Sequence, residues 1–129
     1  MINAKSYVRA GLVADAAIIA AVGSSERIIF EYPQTFESLP LITYTEVDQH
    51  DGDTADNQPY AWRVIMQVDV WVDRASGTTT TLSGLVADRM QALGFSLSYS
   101  SDVPDPDERI LHKVLRFAGA FMPDDLDVL

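Results

Sequence analysis

The stretch from Tyr60 to Asp73 constrains the fold more than any other part of the chain. Trp62, Val64, Met66, Val68, Val70 and Val72 recur at every second position, with Arg63, Gln67, Asp69 and Asp73 between them. A strand sends successive side chains to opposite faces, whereas the same residues would scatter around a 3.6-residue helical turn. The pattern therefore predicts one long strand with a fully apolar face. Ile65 and Trp71 fall in the polar set, so the second face is partly covered too. Trp71 suits either packing or, because Trp is enriched at interfaces, contact with a partner.

A strand this long needs neighbours on both sides, and the rest of the chain supplies them. Residues 3–22 read as helix in two pieces. Tyr7, Val8, Leu12 and Val13 form one apolar face, and Ala16, Ile19, Ala20 and Val22 continue it. Asp15 is placed to cap the second piece and Gly23 to close it. After the polar turn at Ser24–Glu26, Arg27 to Tyr32 reads as a short strand stopped by Pro33, which lacks a ladder donor. Gln34 to Ser38 reads as loop, and Leu41 to Val47 as a second strand.

Asp48 to Asn57 carries Asp48, Asp51, Asp53 and Asp56 without an apolar anchor, which predicts a mobile hairpin loop. Beyond the long strand, Thr78–Thr81 offers hydroxyl caps. Leu82, Leu85, Val86, Met90 and Leu93 then make one helical stripe that ends at Gly94. Phe95, Leu97 and Tyr99 alternate with serines, predicting a strand with one buried and one wet face. Asp102 to Asp107, with two prolines, reads as a turn. Arg109 to Phe121 is the last strand, and 122–129 an acidic tail that includes Leu126 and Leu129. The order α(α)-β-β-β-α-β-β predicts an α+β two-layer domain, with helices on one face of a mainly antiparallel sheet.

Bulk properties narrow the function classes. The 129 residues fit a single domain that removes roughly two-thirds of its extended surface from water. A hydrophobic fraction of 47% is that of a globular chain. The expectation is no membrane partner, since no apolar run approaches the roughly 18 residues a spanning helix needs, and no signal peptide. A net charge of −10 repels phosphate backbones, so nucleic acid is not expected as a bound ligand. With no cysteine, thiolate chemistry, disulfides and Cys-based zinc sites are all excluded.

No catalytic constellation stands out. The acids concentrate in loops, where nothing shifts their pKa values toward general acid/base work. His50 and His112 have no nearby second histidine, and no phosphate-cradling glycine motif occurs. The four aspartates of 48–57 do not follow the ligand spacing of a calcium loop. No catalytic residue, metal or cofactor is expected.

The order of elements, with its particular phrases, resembles a family. Leu12-Val13-Ala14-Asp15-Ala16-Ala17 running to Val22-Gly23 is similar to the N-terminal helix of the tail terminators of long-tailed phages, also called tail-completion or tail-to-head joining proteins. Arg27-Ile28-Ile29-Phe30, Leu39-Pro40-Leu41-Ile42, Val68-Asp69-Val70-Trp71, Ala92-Leu93-Gly94-Phe95 and Leu115-Arg116-Phe117 complete the likeness in order. It covers nearly the whole chain, and the loop at 48–57 departs from the family's plain hairpin.

The resemblance implies a structural virion protein with no catalysis. Such proteins form a hexameric ring on the head-proximal end of the tail tube, stop tube growth and meet the head connector, while DNA passes through without specific binding. The implied partners are copies of itself, the major tail tube protein and a head-completion protein. Asp48, Asp51, Asp53, Asp56, Trp71, Phe121, Leu126 and Leu129 are the candidate lumen or interface residues. A charge of about −60 over six copies further implies that rings assemble on the tube rather than freely in solution. Other neck or tail-tube proteins, and a small-ligand-binding α+β domain, are the alternatives; tube proteins are expected to be dominated by long hairpins.

Overall fold

A computed structural model describes the chain except for residues 32, 34–38, 53, 56, 57, 60 and 124–129. The elements are α1 (Ala4–Val13), α2 (Ala16–Val22), β1 (Ile28–Phe30), β2 (Leu41–Asp51), β3 (Thr54–Ala55), β4 (Gln58–Pro59), β5 (Trp62–Asp73), α3 (Thr80–Ala92), β6 (Ser96–Val103) and β7 (Ile110–Phe121). Five strands form one sheet in the order β1-β2-β5-β7-β6, and β3 and β4 make a separate two-residue ladder. All main-sheet pairings are antiparallel except β1 with β2. The expected α+β two-layer architecture and element order are therefore present, with β3–β4 added.

The helices begin and end where local chemistry dictates. Asn3 accepts from the Ser6 N–H (3.2 Å) at the start of α1. Asp15 accepts from the N–H groups of Ala17 (2.9 Å) and Ile18 (3.2 Å), satisfying donors that have no intrahelical partner. Gly23 closes α2 at φ 101°. At the end of α3, Gly94 takes φ 100° while Phe95 N–H donates to the Met90 carbonyl and Gly94 N–H to that of Gln91. That pair of bonds is a Schellman closure, which glycine enters without a Cβ penalty. The threonine cap is shifted by one residue: Thr78, not Thr79, accepts from the Thr80 N–H.

One apolar layer lies between helices and sheet. Val64, Met66, Val68 and Val70 of β5 are fully buried there, against Val8, Leu12, Ile18, Val86 and Met90 from the helices and Leu115, Phe117 and Phe121 from β7. α1 is joined directly to α3 and its C-terminal end. Gly11 lets the Leu93 side chain approach its backbone, and Arg89 Nε donates to the Gly11 carbonyl at 2.7 Å. A smaller cluster of Leu41, Trp71 and Ile110 covers part of the opposite face, which is why the second face of β5 is not wholly polar.

Three expectations need correction. β2 runs on through Asp51, so Asp48, His50 and Asp51 stand on a strand and not in a loop; they pair with Ile65, Arg63 and Trp62. A register shift between Glu46 and Asp48 keeps the ladder going and leaves Val47 exposed. β6 has no buried face: Leu97 and Tyr99 are about half exposed, at 49% and 53%. It also runs on through Asp102 and Val103, so the turn begins at Pro104. The loop expected at Gln34–Ser38 lies outside the described residues.

Two glycine substitutions should move stability in opposite directions. A Cβ on Gly119 would lie 2.6 Å from the Phe121 ring and 3.0 Å from the Gly94 carbonyl oxygen. Gly119→Ala is expected to cost about 1–3 kcal/mol, the usual penalty of overpacking. Gly84 faces open space inside α3, so Gly84→Ala is expected to add about 1 kcal/mol from helix propensity. Urea midpoints of the two variants against the parent chain check both signs.

Candidate assembly surface

The residues expected at an interface divide into three groups. Trp71 is 1% exposed; its Nε1–H donates to Thr43 Oγ1 at 3.0 Å and its ring stacks on His112 at 3.5 Å between centroids. Phe121 is buried between Tyr7 and Phe95. Both pack within the single chain. Asp48 and Asp51 lie on β2, with Asp48 about half exposed beside His50. Asp53, Asp56, Leu126 and Leu129 lie outside the described residues.

Four of the exposed large apolar side chains, Phe30, Leu97, Tyr99 and Val103, stand on the two edge strands of the sheet. β6 presents Leu97, Tyr99 and Val103 along an eight-residue edge whose backbone, among the described residues, pairs on one side only, with β7. A long apolar edge of this kind is a template for another strand unless something covers it. The opposite edge, β1, is three residues long and presents Phe30, with Lys5 Nζ 5.4 Å from its ring centroid. Beside Phe30 lies an open recess of about 600 Å³ lined by Lys5, Ser6, Arg9, Ala10 and Tyr44. Burial raises the Tyr44 phenol above its ordinary value, and the nearby Arg9 opposes that shift.

The helix-free face of the sheet carries a connected polar network. Arg116 Nε donates to Gln67 Oε1 (3.1 Å), Gln67 Nε2 donates to Asp69 Oδ1 (2.9 Å), and His112 Nε2 lies 2.7 Å from Asp69 Oδ2. Together with the Thr43–Trp71 bond, these side chains cross β2, β5 and β7 and hold the three strands in register. At the β6–β7 turn, the Arg109 guanidinium beside Asp107 holds that carboxyl down at about 2. Because the folded value is depressed, this contribution to stability is full at neutral pH and fades only as pH falls from the ordinary carboxylate range toward 2. Among the described residues, no group of three or more His, Asp or Glu side chains converges on a metal position.

Periodicity alone did not reveal Leu97 and Tyr99 as surface residues. Alternation with serine reads as half-buried, and only the strand order puts β6 at the edge of the sheet. The available signal was composition: a strand with four serines and one aspartate among eight residues has little to bury.

The geometry defines a two-layer α+β domain with two unlike free edges. The sequence matches the family described as tail completion protein gp17 over residues 6–120, and the chain belongs to that family. No curated protein matches the sequence. A chain from the virion of a native gene transfer agent particle is similar in structure, with a TM-score of 0.65 at 16% identity, covering 90% of this chain and 92% of that one. The gp17 protein of bacteriophage SPP1 is similar with a TM-score of 0.53 at 13% identity, covering 91% and 87%. At such identities the likeness establishes a shared fold.

Burial separates the two sets of aromatic residues experimentally. Trp71→Ala should destabilise the chain by about 3–5 kcal/mol, as large-to-small core changes do. Tyr99→Lys should change stability by less than about 0.5 kcal/mol, because its ring packs on little within the chain. Chemical denaturation of the two variants distinguishes them.

Proposed function

We propose that this chain caps the head-proximal end of a phage tail tube as a hexameric ring, stops tube polymerisation and provides the surface for joining to the head connector. The observation that carries this reading is the family match across 115 of 129 residues, from 6 to 120. The long exposed edge of β6 supports it, since a chain that works alone gains nothing from an apolar strand edge open to water. The role is structural, without turnover. The partners are other copies of the chain, the tube subunit and a head-completion protein, and assembly takes place in the host cytoplasm before the protein resides in the virion.

Acidic residues give the ring its electrostatic character. Asp48 and Asp51 on β2, with Asp53 and Asp56 following in sequence, are the acidic group of this reading. Facing the lumen, it keeps passing DNA from adhering, because like charges in a narrow channel repel. Leu126 and Leu129 in the tail contact an adjacent copy or the tube. A total near −60 over six copies opposes ring closure at low salt, where the Debye length is about 30 Å at 0.01 M.

Two measurements test this. Removing the protein during particle assembly should leave tails longer than normal and heads without tails, counted by negative-stain microscopy; tails of normal length joined to heads would refute the role. Light scattering of the pure protein should give the mass of one chain at low salt and larger species as salt rises toward 1 M. Stable hexamers at low salt would contradict the electrostatic argument.

A further inference from the structure

We infer that neighbouring copies meet edge to edge, with β6 of one copy laid beside β1 of the next and Leu97 covering Phe30. This rests on the ring reading above and adds which two surfaces close it. The argument starts from symmetry. A closed ring needs two different, complementary patches on each copy, because the contact is head-to-tail. Among the described residues the sheet has two free edges, β6 and β1, at opposite ends of the strand order. Both expose large apolar side chains: Leu97, Tyr99 and Val103 on one, Phe30 on the other.

Rotation about a single axis fixes which side chains face each other. Every copy in the ring turns its helix layer in the same radial direction, so the helix side of one edge meets the helix side of the next. On β6 the register places Leu97 opposite Phe117, a core residue, so Leu97 lies on the helix side. Asp102 pairs with Lys113, which pairs with buried Val70, so Asp102 lies on that side as well. On β1, Phe30 pairs with Tyr44 of the main core and borders the recess that α1 overhangs. The half-exposed Leu97 thus arrives at an open, aromatic-lined recess on the matching side of the sheet.

Charge favours the same pairing over a self-pairing of like edges. Residues 1–30 carry Lys5, Arg9 and Arg27 against Asp15 and Glu26, a net of +1 in a chain of −10. Residues 96–113 carry Asp102, Asp105, Asp107 and Glu108 against Arg109 and Lys113, a net of −2. Two β6 edges brought together would repel, whereas β6 against the α1/β1 edge is complementary. The three-residue length of β1 limits the shared ladder to a few backbone hydrogen bonds, so the apolar contact of Leu97 with Phe30 carries most of the specificity.

The absence of cysteine makes the test clean. Particles are assembled with the double variant Phe30→Cys/Leu97→Cys, oxidised mildly, and this protein is followed on a non-reducing gel. The expected result is a ladder at integral multiples of the chain mass, with each single-cysteine variant staying at one chain. A ring present in the particles without that ladder overturns the edge pairing and leaves the ring reading standing, as do dimers from Leu97→Cys alone, which mark β6 against β6. Particles that join normally without any ring of this protein overturn both. If the cysteine variants yield no particles, charge exchange replaces them. Leu97→Asp should reduce the yield of joined particles at least about tenfold, equivalent to about 1.4 kcal/mol of contact. Leu97→Asp/Phe30→Lys should then restore the yield; no recovery overturns the pairing.

Discussion

The two-sided pairing of β5 is the constraint on which the rest of the structure depends. All twelve of its residues pair with β7, and ten residues of β2 pair along its other side. This central position forces one face of β5 to be buried along its length, and Val64, Met66, Val68 and Val70 meet that demand with no exposed surface. The helices can then pack on only one side, because the other carries Arg63, Gln67 and Asp69. Once α1, α2 and α3 occupy that side, β1 and β6 are left as free edges. The surfaces available for assembly are thus a consequence of where the most hydrophobic strand sits.

Much of this architecture was readable from residue order because it rests on local chemistry. The break between the first two helices follows from Asp15, whose carboxylate caps α2. The ends of α2 and α3 follow from Gly23 and Gly94, whose backbones take positive φ. The two-residue alternation identified β5, and the Leu82–Val86–Met90 spacing identified α3. These signals need no knowledge of the partners.

What could not be read depends on pairing across long separations. The polar stretch Asp48–Asp51 lacks side chains that favour a strand, yet it is one because Trp62 to Ile65 supplies a ladder beside it. Leu97 and Tyr99 look half-buried by alternation, but their strand pairs only with β7 at the outer edge. Trp71 and Phe121 resemble contact residues by type. They are buried because Thr43 and His112 enclose the first, while Tyr7, Phe95 and Gly94 surround the second. In each case the deciding neighbour is more than ten residues away in sequence. The candidate assembly surface was therefore the least accessible feature, since an edge is defined by which strand is missing from its far side.

The central claim is that this small acidic domain acts as a ring in a tail, with unlike edges turned toward successive copies. Quantitative mass spectrometry of purified, joined particles tests it most directly by counting this chain against the other virion proteins. The account predicts a fixed number of about six copies per particle, as a closed cyclic assembly requires. A single copy per particle, or its complete loss on purification while heads and tails stay joined, would contradict it.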